Sequence, residues 1–347
     1  MNPDTFKLAI EDAFGVGFFN IITKRYDFPD KGFYIEPETT IPSGMCLEDP
    51  KIKMGYPDCG VNEFYGEPYS LLEAIKDVDI LIIHGAALPK TVIDNANRLK
   101  YIISLRGGPA NIDMASVNER GIKFFNTEGK NAPAVAEFAL GMLLDFERGI
   151  TVGNRRLCDG WWWIKGADSY ESHEIQHKRF GFIGYGRIAQ CFRKLLAGFD
   201  IDAVTYSPHV DDDLLKKDNV NRVSLEELVS TSDYVTLHTR PHKGEPPLIG
   251  EKLINMMKKD AVLINTARGG LLDYQALKKA LEEHRIRGAV LDVLGNEQFG
   301  FYEELIALDN ALITPHIAGQ SVETCERACS MGVALLKKII ESENINA

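Results

Sequence analysis

The sequence predicts an α/β protein made of two doubly wound parallel-sheet domains with a cleft between them. Three observations predict it. From Leu71 onward, short apolar runs alternate with helix-like stretches, the pattern of parallel strands joined by crossover helices. A glycine turn, F-G-F-I-G-Y-G-R-I-A-Q over residues 180–190, lies in the middle of the chain rather than at its start, so another domain precedes it. The chain has 347 residues, which suits roughly two domains of ordinary size.

The elements follow in order. Residues 79–84 (D-I-L-I-I-H) form an apolar strand ended by Gly85, and 90–98 read as a helix. A strand over 101–105 ends at Gly107 and Gly108, and 122–125 is a short strand before Asn126. Residues 132–148 carry helical periodicity with few breakers. The stretch 158–174 is polar and aromatic and reads as a connecting loop, with Trp161, Trp162 and Trp163 as packing residues without catalytic role. Strands recur at 180–183, 203–206, 234–238, 261–265, 288–292 and 311–314, mostly separated by helix patterns. Residues 321–341 read as a final helix with Ser321 as its N-cap. In the first 70 residues, Pro29, Pro37, Pro42, Pro50, Pro57 and Pro68 interrupt any long element, leaving strands with long loops.

Bulk properties exclude several classes. The net charge is −11, which disfavours nucleic acid and anionic lipid as partners. No apolar run reaches the ~18 residues of a membrane span, and residues 1–19 contain acids and no basic n-region, unlike a secretory signal. The six cysteines form no C-x-x-C pair and read as reduced thiols of a cytoplasmic protein. Cys325 and Cys329 lie one helical turn apart, a spacing better explained by packing than by metal binding, and no metal site is expected.

The glycine turn has the G-x-G-x-x-G/A shape of a Rossmann dinucleotide site. Gly184 permits the tight turn, Gly186 admits the pyrophosphate to the helix N-terminus, and Ala189 allows close helix–strand packing. A carboxylate is expected about 20 residues on, at the tip of the second strand, to hold the ribose diol. That tip is Ser207, followed by Pro208, His209 and Val210 and then Asp211, Asp212 and Asp213. A serine does not repel a 2′-phosphate, but no arginine follows directly and the aspartates oppose one. NAD is the expected coenzyme, and NADP stays open.

In a doubly wound sheet, ligands bind beyond the carboxyl ends of the strands. Three polar residues follow three successive strands there: Arg268 in I-N-T-A-R-G-G-L-L-D, Glu297 in G-A-V-L-D-V-L-G-N-E, and His316 in L-I-T-P-H-I-A-G. Taken singly, each is explicable as a turn residue, a surface charge or a structural histidine. Together they suit reduction of a 2-keto acid. A histidine supplies the proton near neutral pH, a carboxylate beside it favours imidazolium, and an arginine fork binds the substrate carboxylate. From the first domain, His84, Arg106, Gly107 and Gly108 are candidate substrate walls at strand ends.

These stretches, from Ile102 to Gly319, resemble the D-isomer-specific 2-hydroxyacid dehydrogenases. The resemblance rests on N-I-D-M-A-S-V-N-E-R-G-I-K-F-F-N-T, N-A-P-A-V-A-E-F-A-L, G-Y-G-R-I-A, I-N-T-A-R-G-G-L-L-D, A-V-L-D-V and T-P-H-I-A-G in that order. It implies a Rossmann cofactor domain over 126–316 and a flavodoxin-like substrate domain from 1–125 and 317–347. It implies Arg268 as substrate-binding arginine, Glu297 as the partner of His316, and His316 as acid/base. Arg187, Ile188, Thr239, Thr266, Ala267, Asp292 and Gly319 fall at the family's cofactor contacts. A small 2-keto or 2-hydroxy acid as substrate and a homodimer, with the helix over 132–148 contributing, are implied as well.

Departures exist. Ser207 replaces the common aspartate, Gln298 follows Glu297 where proline is usual, and Arg240 separates Thr239 from Pro241. The loop Arg106-Gly107-Gly108-Pro109-Ala110-Asn111 is shorter than R-x-G-x-G-x-D-N and resembles an R-G-G-P, phosphoglycerate dehydrogenase-like subgroup. About 30 residues after His316 are too few for a further regulatory domain. Two rival functions remain. One is an NAD(H)-sensing regulator on the same fold. The other is a related dehydrogenase such as a formate oxidiser, against which Glu297 speaks because that reaction needs no acid paired to a carboxylate.

Overall fold

The computed structural model describes residues 7–11, 34–38, 59–61, 64, 68–160, 171–241, 244–295 and 303–342. The chain divides into two compact units, Met1–Lys130 with Ser321–Ala347, and Asn131–Gln320.

In the first unit the elements are β1 (Lys7–Glu11), β2 (Tyr34–Glu38), β3 (Ile80–Ile83), α1 (Lys90–Asn95), β4 (Tyr101–Ser104), α2 (Met114–Glu119) and β5 (Lys123–Asn126). The helix Val322–Ser342 closes the unit. The strands form a parallel sheet in the order β2-β1-β3-β4-β5, the flavodoxin-like order. Pro37 falls in β2 at the sheet edge, where a missing N–H is tolerated. β3 and β4 are buried at every position, as strands covered on both faces must be. One face packs Ile80, Ile82, Tyr101 and Ile103 under Ala328, Val333 and Leu336 of the last helix. The other packs Leu81, Ile83 and Ile102 against Val92, Ile93 and Val117. Helix α1 stops at Asn95, short of Arg98, because Arg98 turns back to pair with buried Asp79 at 2.6 Å. Ser321 caps the last helix by accepting from the Thr324 N–H at 3.0 Å, as its sequence implies.

The second unit runs α3 (Ala132–Arg148), α4 (Ile150–Cys158), β6 (Arg179–Ile183), α5 (Arg187–Leu195), β7 (Asp202–Tyr206), α6 (Asp212–Asp218), β8 (Asn221–Arg222), α7 (Leu225–Thr231), β9 (Tyr234–Leu237), α8 (Glu251–Met256), β10 (Val262–Asn265), α9 (Tyr274–Glu282), β11 (Gly288–Leu291), α10 (Glu303–Ile306) and β12 (Ala311–Ile313). Its seven strands are parallel in the order β12-β11-β10-β9-β6-β7-β8. Phe180, Phe182, Tyr234 and Ile264 pack with Leu143, Phe146 and Phe192 of α3 and α5 on one face. Val204, Val235, Leu263 and Leu291 pack with Leu228, Ile254 and Leu277 of α7 to α9 on the other. Helix α3 has the bounds its periodicity predicts and ends at Gly149, φ 59°. Helix α4 is not legible in the sequence. It buries no residue and so lacks the one-sided apolar stripe that reveals a packed helix. The tryptophans at 161–163 lie outside the described residues.

At the amino edge of this sheet, Glu147 is fully buried and receives two bonds from Arg287, at 3.0 and 2.6 Å. The Arg287 guanidinium also lies over the Phe146 ring, 5.6 Å from its centroid. Among the described residues no helix is long and apolar enough to cross a membrane, and no cluster of metal-ligating side chains occurs.

Candidate active site

The order of the second sheet reverses at β6, whose neighbours are β7 and β9. The glycine turn leaves the carboxyl end of β6 at this switch point, where dinucleotides bind in such sheets. Gly184 has φ +87°, and a Cβ there would stand 2.7 Å from the His238 carbonyl oxygen and 3.1 Å from the Thr239 nitrogen. The turn therefore lies directly on the end of β9, and no other residue fits. At Gly186, the N-cap of α5, a Cβ would meet nothing within 4 Å. The cradle is open where a pyrophosphate would approach, with Arg187 and Ile188 in the first turn of the helix. Beneath it, His238 stacks on Phe182 (centroids 5.9 Å, 25°) and contacts Thr236 Oγ1 through Nε2 at 2.9 Å. Burial pushes this imidazole down to about 3, so the ring is a neutral floor for the turn.

At the end of β10, the buried Asn265 side chain braces the next turn. Its Oδ1 accepts from the Ala267 N–H at 3.0 Å and its Nδ2 donates to the Arg268 carbonyl at 3.1 Å. A Cβ on Gly269 would stand 2.1 Å from the Leu294 carbonyl oxygen, so the turn that carries Arg268 rests on the backbone leading out of β11. Arg268 is exposed, with Nη1 donating to the Ala267 carbonyl. Thr266 is buried, and its Oγ1 has no hydrogen-bond partner among the described residues. This is a polar atom at the ligand edge awaiting one.

The end of β11 carries Asp292, which is 1% exposed. Its Oδ1 accepts from Thr314 Oγ1 at 2.7 Å and the Ile317 N–H at 2.9 Å, and its Oδ2 accepts from the Ala318 N–H at 2.9 Å. The His316 N–H donates to the Asp292 carbonyl at 2.8 Å. One residue thus clamps the whole T-P-H-I-A loop after β12. The clamp holds His316 at φ +56°, a left-handed conformation uncommon for a side-chain-bearing residue. β12 ends at Ile313 rather than Thr314 because the threonine side chain belongs to this clamp. Gly319 follows, backed by the Asn131 side chain. Glu297 and Gln298 lie outside the described residues.

Ser207 follows β7, as the sequence implies. Arg222 is a residue that sequence reasoning missed. It lies fifteen positions away on edge strand β8 and donates to the Ser207 carbonyl. A two-residue polar strand offers no apolar signal, so nothing linear announces this arginine beside Ser207.

In the first unit, the R-G-G-P loop follows β4. Asn111 Nδ2 donates to the Ala86 carbonyl at 2.7 Å and the His84 carbonyl at 3.3 Å, and Asn126 Nδ2 donates to the Gly107 carbonyl at 3.3 Å. Pro109 offers a carbonyl only, accepting from the Ile112 N–H. His84 is half-buried rather than solvent-facing. Burial, with the nearby positive charges of Lys130 and Arg106, holds its pKa well below the ordinary value. Burial also brings Lys130 down to about 8. Lys130 follows a short polar turn and carries no sequence signal of its place beside His84.

Comparison with known proteins agrees with these observations. Residues 140–318 match the family model described as D-isomer specific 2-hydroxyacid dehydrogenase, NAD binding domain. The chain is 35% identical over 276 residues to a D-3-phosphoglycerate dehydrogenase of Methanocaldococcus jannaschii, covering 79% of this chain and 52% of that relative, about half its length. It is 31% identical over 301 residues to a hydroxypyruvate reductase of Thermotoga maritima, covering 86% of this chain and 95% of the relative. The structure is similar to that of the TT0316 protein from Thermus thermophilus, with 27% identity, a TM-score of 0.77 and 97% of each chain covered. The open glycine cradle and the orphaned Thr266 hydroxyl fit a nicotinamide dinucleotide, and the chain belongs to the D-isomer specific 2-hydroxyacid dehydrogenases, a family of NAD(P)-dependent oxidoreductases.

Proposed function

We propose that this chain interconverts a small 2-keto acid and the corresponding D-2-hydroxy acid, with NAD(H) as hydride carrier. The observation that supports this most directly is the clamp of Asp292 on the loop carrying His316. A buried carboxylate committed to three bonds on one loop is more than a surface histidine requires, and it suits the orienting of a proton donor. Gly184, Gly186, Arg187, Ile188, Thr239, Thr266, Ala267, Asp292 and Gly319 hold the dinucleotide, with Ser207 at its ribose.

When bound, the reduced nicotinamide supplies the hydride that adds to the keto carbon. Arg268 binds the substrate carboxylate through its guanidinium fork and polarises the adjoining carbonyl. As the carbonyl electrons move onto oxygen, an imidazolium N–H of His316 donates the proton that completes the hydroxyl. In the oxidative direction neutral His316 takes that proton back. Glu297 is the carboxylate partner of His316 in this reading. His84, Arg106, Gly107 and Gly108 are the candidate substrate-binding residues at strand ends of the first unit, and the positive charge of Arg106 suits an acid.

Phosphoglycerate-like, hydroxypyruvate-like and glyoxylate-like acids are the first candidates. The relatives' printed names and the R-G-G-P loop support them. A cytoplasmic homodimer accords with this reading, and α4 leaves Ile150 and Leu157 exposed for such a contact. Replacement of His316 by Ala is expected to lower kcat about 10²–10⁴-fold while leaving the NADH Kd within about twofold. Near-normal turnover by that variant contradicts the assignment.

A further inference from the structure

The ribose end of the dinucleotide site holds an arginine that sequence order hides. Arg222, on edge strand β8, reaches the tip of β7 and donates to three acceptors there. Nη1 binds the Ser207 carbonyl, and Nη2 binds the Val210 carbonyl at 2.7 Å and Asp212 Oδ1 at 2.6 Å. In dinucleotide folds this tip decides the coenzyme. A carboxylate there bonds the free ribose diol, whereas an arginine nearby accommodates a 2′-phosphate. Here both groups are present and bound to each other. Asp212 begins α6, and Asp211 caps the same helix by accepting from the Asp213 N–H at 2.7 Å. The Arg222 guanidinium holds the Asp212 carboxyl below its usual range, so the aspartate is anionic wherever the coenzyme binds.

The consequence is electrostatic. Both Nη2 hydrogens of Arg222 are taken by Val210 and Asp212. The charge that would receive a phosphate is neutralised by Asp212, with Asp211 and Asp213 adjoining. A 2′-phosphate arriving at Ser207 meets an occupied guanidinium and a surplus of carboxylates. An unphosphorylated ribose meets no such penalty.

We propose that the Asp212–Arg222 pair is the coenzyme selector of this protein, excluding NADP(H) by keeping Arg222 engaged. The proposal rests on the reading of this unit as the dinucleotide site and adds to it a residue pair outside the glycine turn. It also gives Ser207 a meaning. The tip lacks its own carboxylate, and discrimination against the phosphate is supplied by a carboxylate from the next helix.

The test is direct binding, independent of any substrate. The Kd of NADH and of NADPH is measured by titrating nucleotide fluorescence with the purified protein and with D212A, R222M and the D212A/R222M double variant. The intact protein is expected to bind NADH at least about tenfold more tightly than NADPH. D212A, by freeing the guanidinium, is expected to tighten NADPH about tenfold, the size of one charge-assisted bond, with NADH changed less than about threefold. In the double variant that gain is expected to vanish. Persistence of the gain without Arg222, an unchanged NADH/NADPH ratio in D212A, or an intact protein that prefers NADPH would each overturn the selector while leaving a dinucleotide site standing. Failure to bind either nucleotide overturns the site itself, and the selector with it.

Discussion

Both units are parallel sheets whose first strand lies inside: β1 between β2 and β3, and β6 between β7 and β9. Their amino edges are alike. Each is pinned by a buried carboxylate and an arginine, Asp79–Arg98 in one and Glu147–Arg287 in the other. Their carboxyl edges are not alike. In the first unit the edge gathers basic groups, with Arg106 and Lys130 both acting on His84, around a loop braced by two asparagine amides. In the second it presents a glycine cradle with a neutral histidine floor, an orphaned threonine hydroxyl and a clamped histidine. The amino edges pin the sheets in the same way, and the proposed chemistry rests on the edges that differ.

The largest effect on stability expected of a single change concerns the amino edges. Glu147→Ala leaves Arg287 without its partner and is expected to cost about 3–5 kcal/mol in urea denaturation. Asp79→Ala, whose arginine is partly exposed, is expected to cost about 1–3 kcal/mol. Equal costs would break the ranking by burial. Next come the glycines of the carboxyl edges. Gly184→Ala forces a Cβ onto the end of β9 at φ +87°, costing about 1–3 kcal/mol of strain and weakening NADH binding by at least about tenfold. Gly107→Ala, where a Cβ would meet nothing within 4 Å, is expected to change stability by less than about 0.5 kcal/mol. A tolerant Gly184 would mean that the cradle does not rest on His238.

A further effect is on pH dependence. His84 and His238 both have pKa values lowered by burial. The unfolded chain therefore binds protons that the native state refuses, and stability rises with pH across that window. Their contribution is complete above the unfolded value near 6.5 and is lost as pH falls toward the folded one, about 3 for His238. Between pH 7.5 and 5.5 the loss is about 1.4 kcal/mol for His238. His238→Gln is expected to flatten the unfolding free energy, measured by urea denaturation, over this range by that amount. An unchanged slope would show that His238 protonates in place.

Much of this architecture is written in local pattern. Buried strands appear as continuous apolar runs, and α3 shows its bounds because a long one-sided stripe ends at a glycine. The strand-end positions of Arg268 and His316 follow from the parallel sheet, since every strand points its carboxyl end to the same edge. What is not legible depends on chain segments meeting in space. The polar strand β8 and the unburied helix α4 carry no apolar signal. Asp292 reads as a cofactor contact in sequence, and only the folded loop reveals it as the anchor of His316. Arg222 reaches Ser207 through strand pairing, so inspection of the residues after Ser207 finds no arginine there.

The second unit's carboxyl edge is proposed to carry hydride and proton transfer on a 2-keto acid. The most direct measurement follows nucleotide absorbance with the purified protein, a panel of 2-keto acids (glyoxylate, hydroxypyruvate, a phosphorylated hydroxypyruvate and a bulkier aliphatic acid), and NADH or NADPH. The expected result is turnover of at least one of these acids with NADH, giving the D-hydroxy acid. Tight NADH binding with no turnover of any acid would contradict the claim and identify a dinucleotide sensor instead.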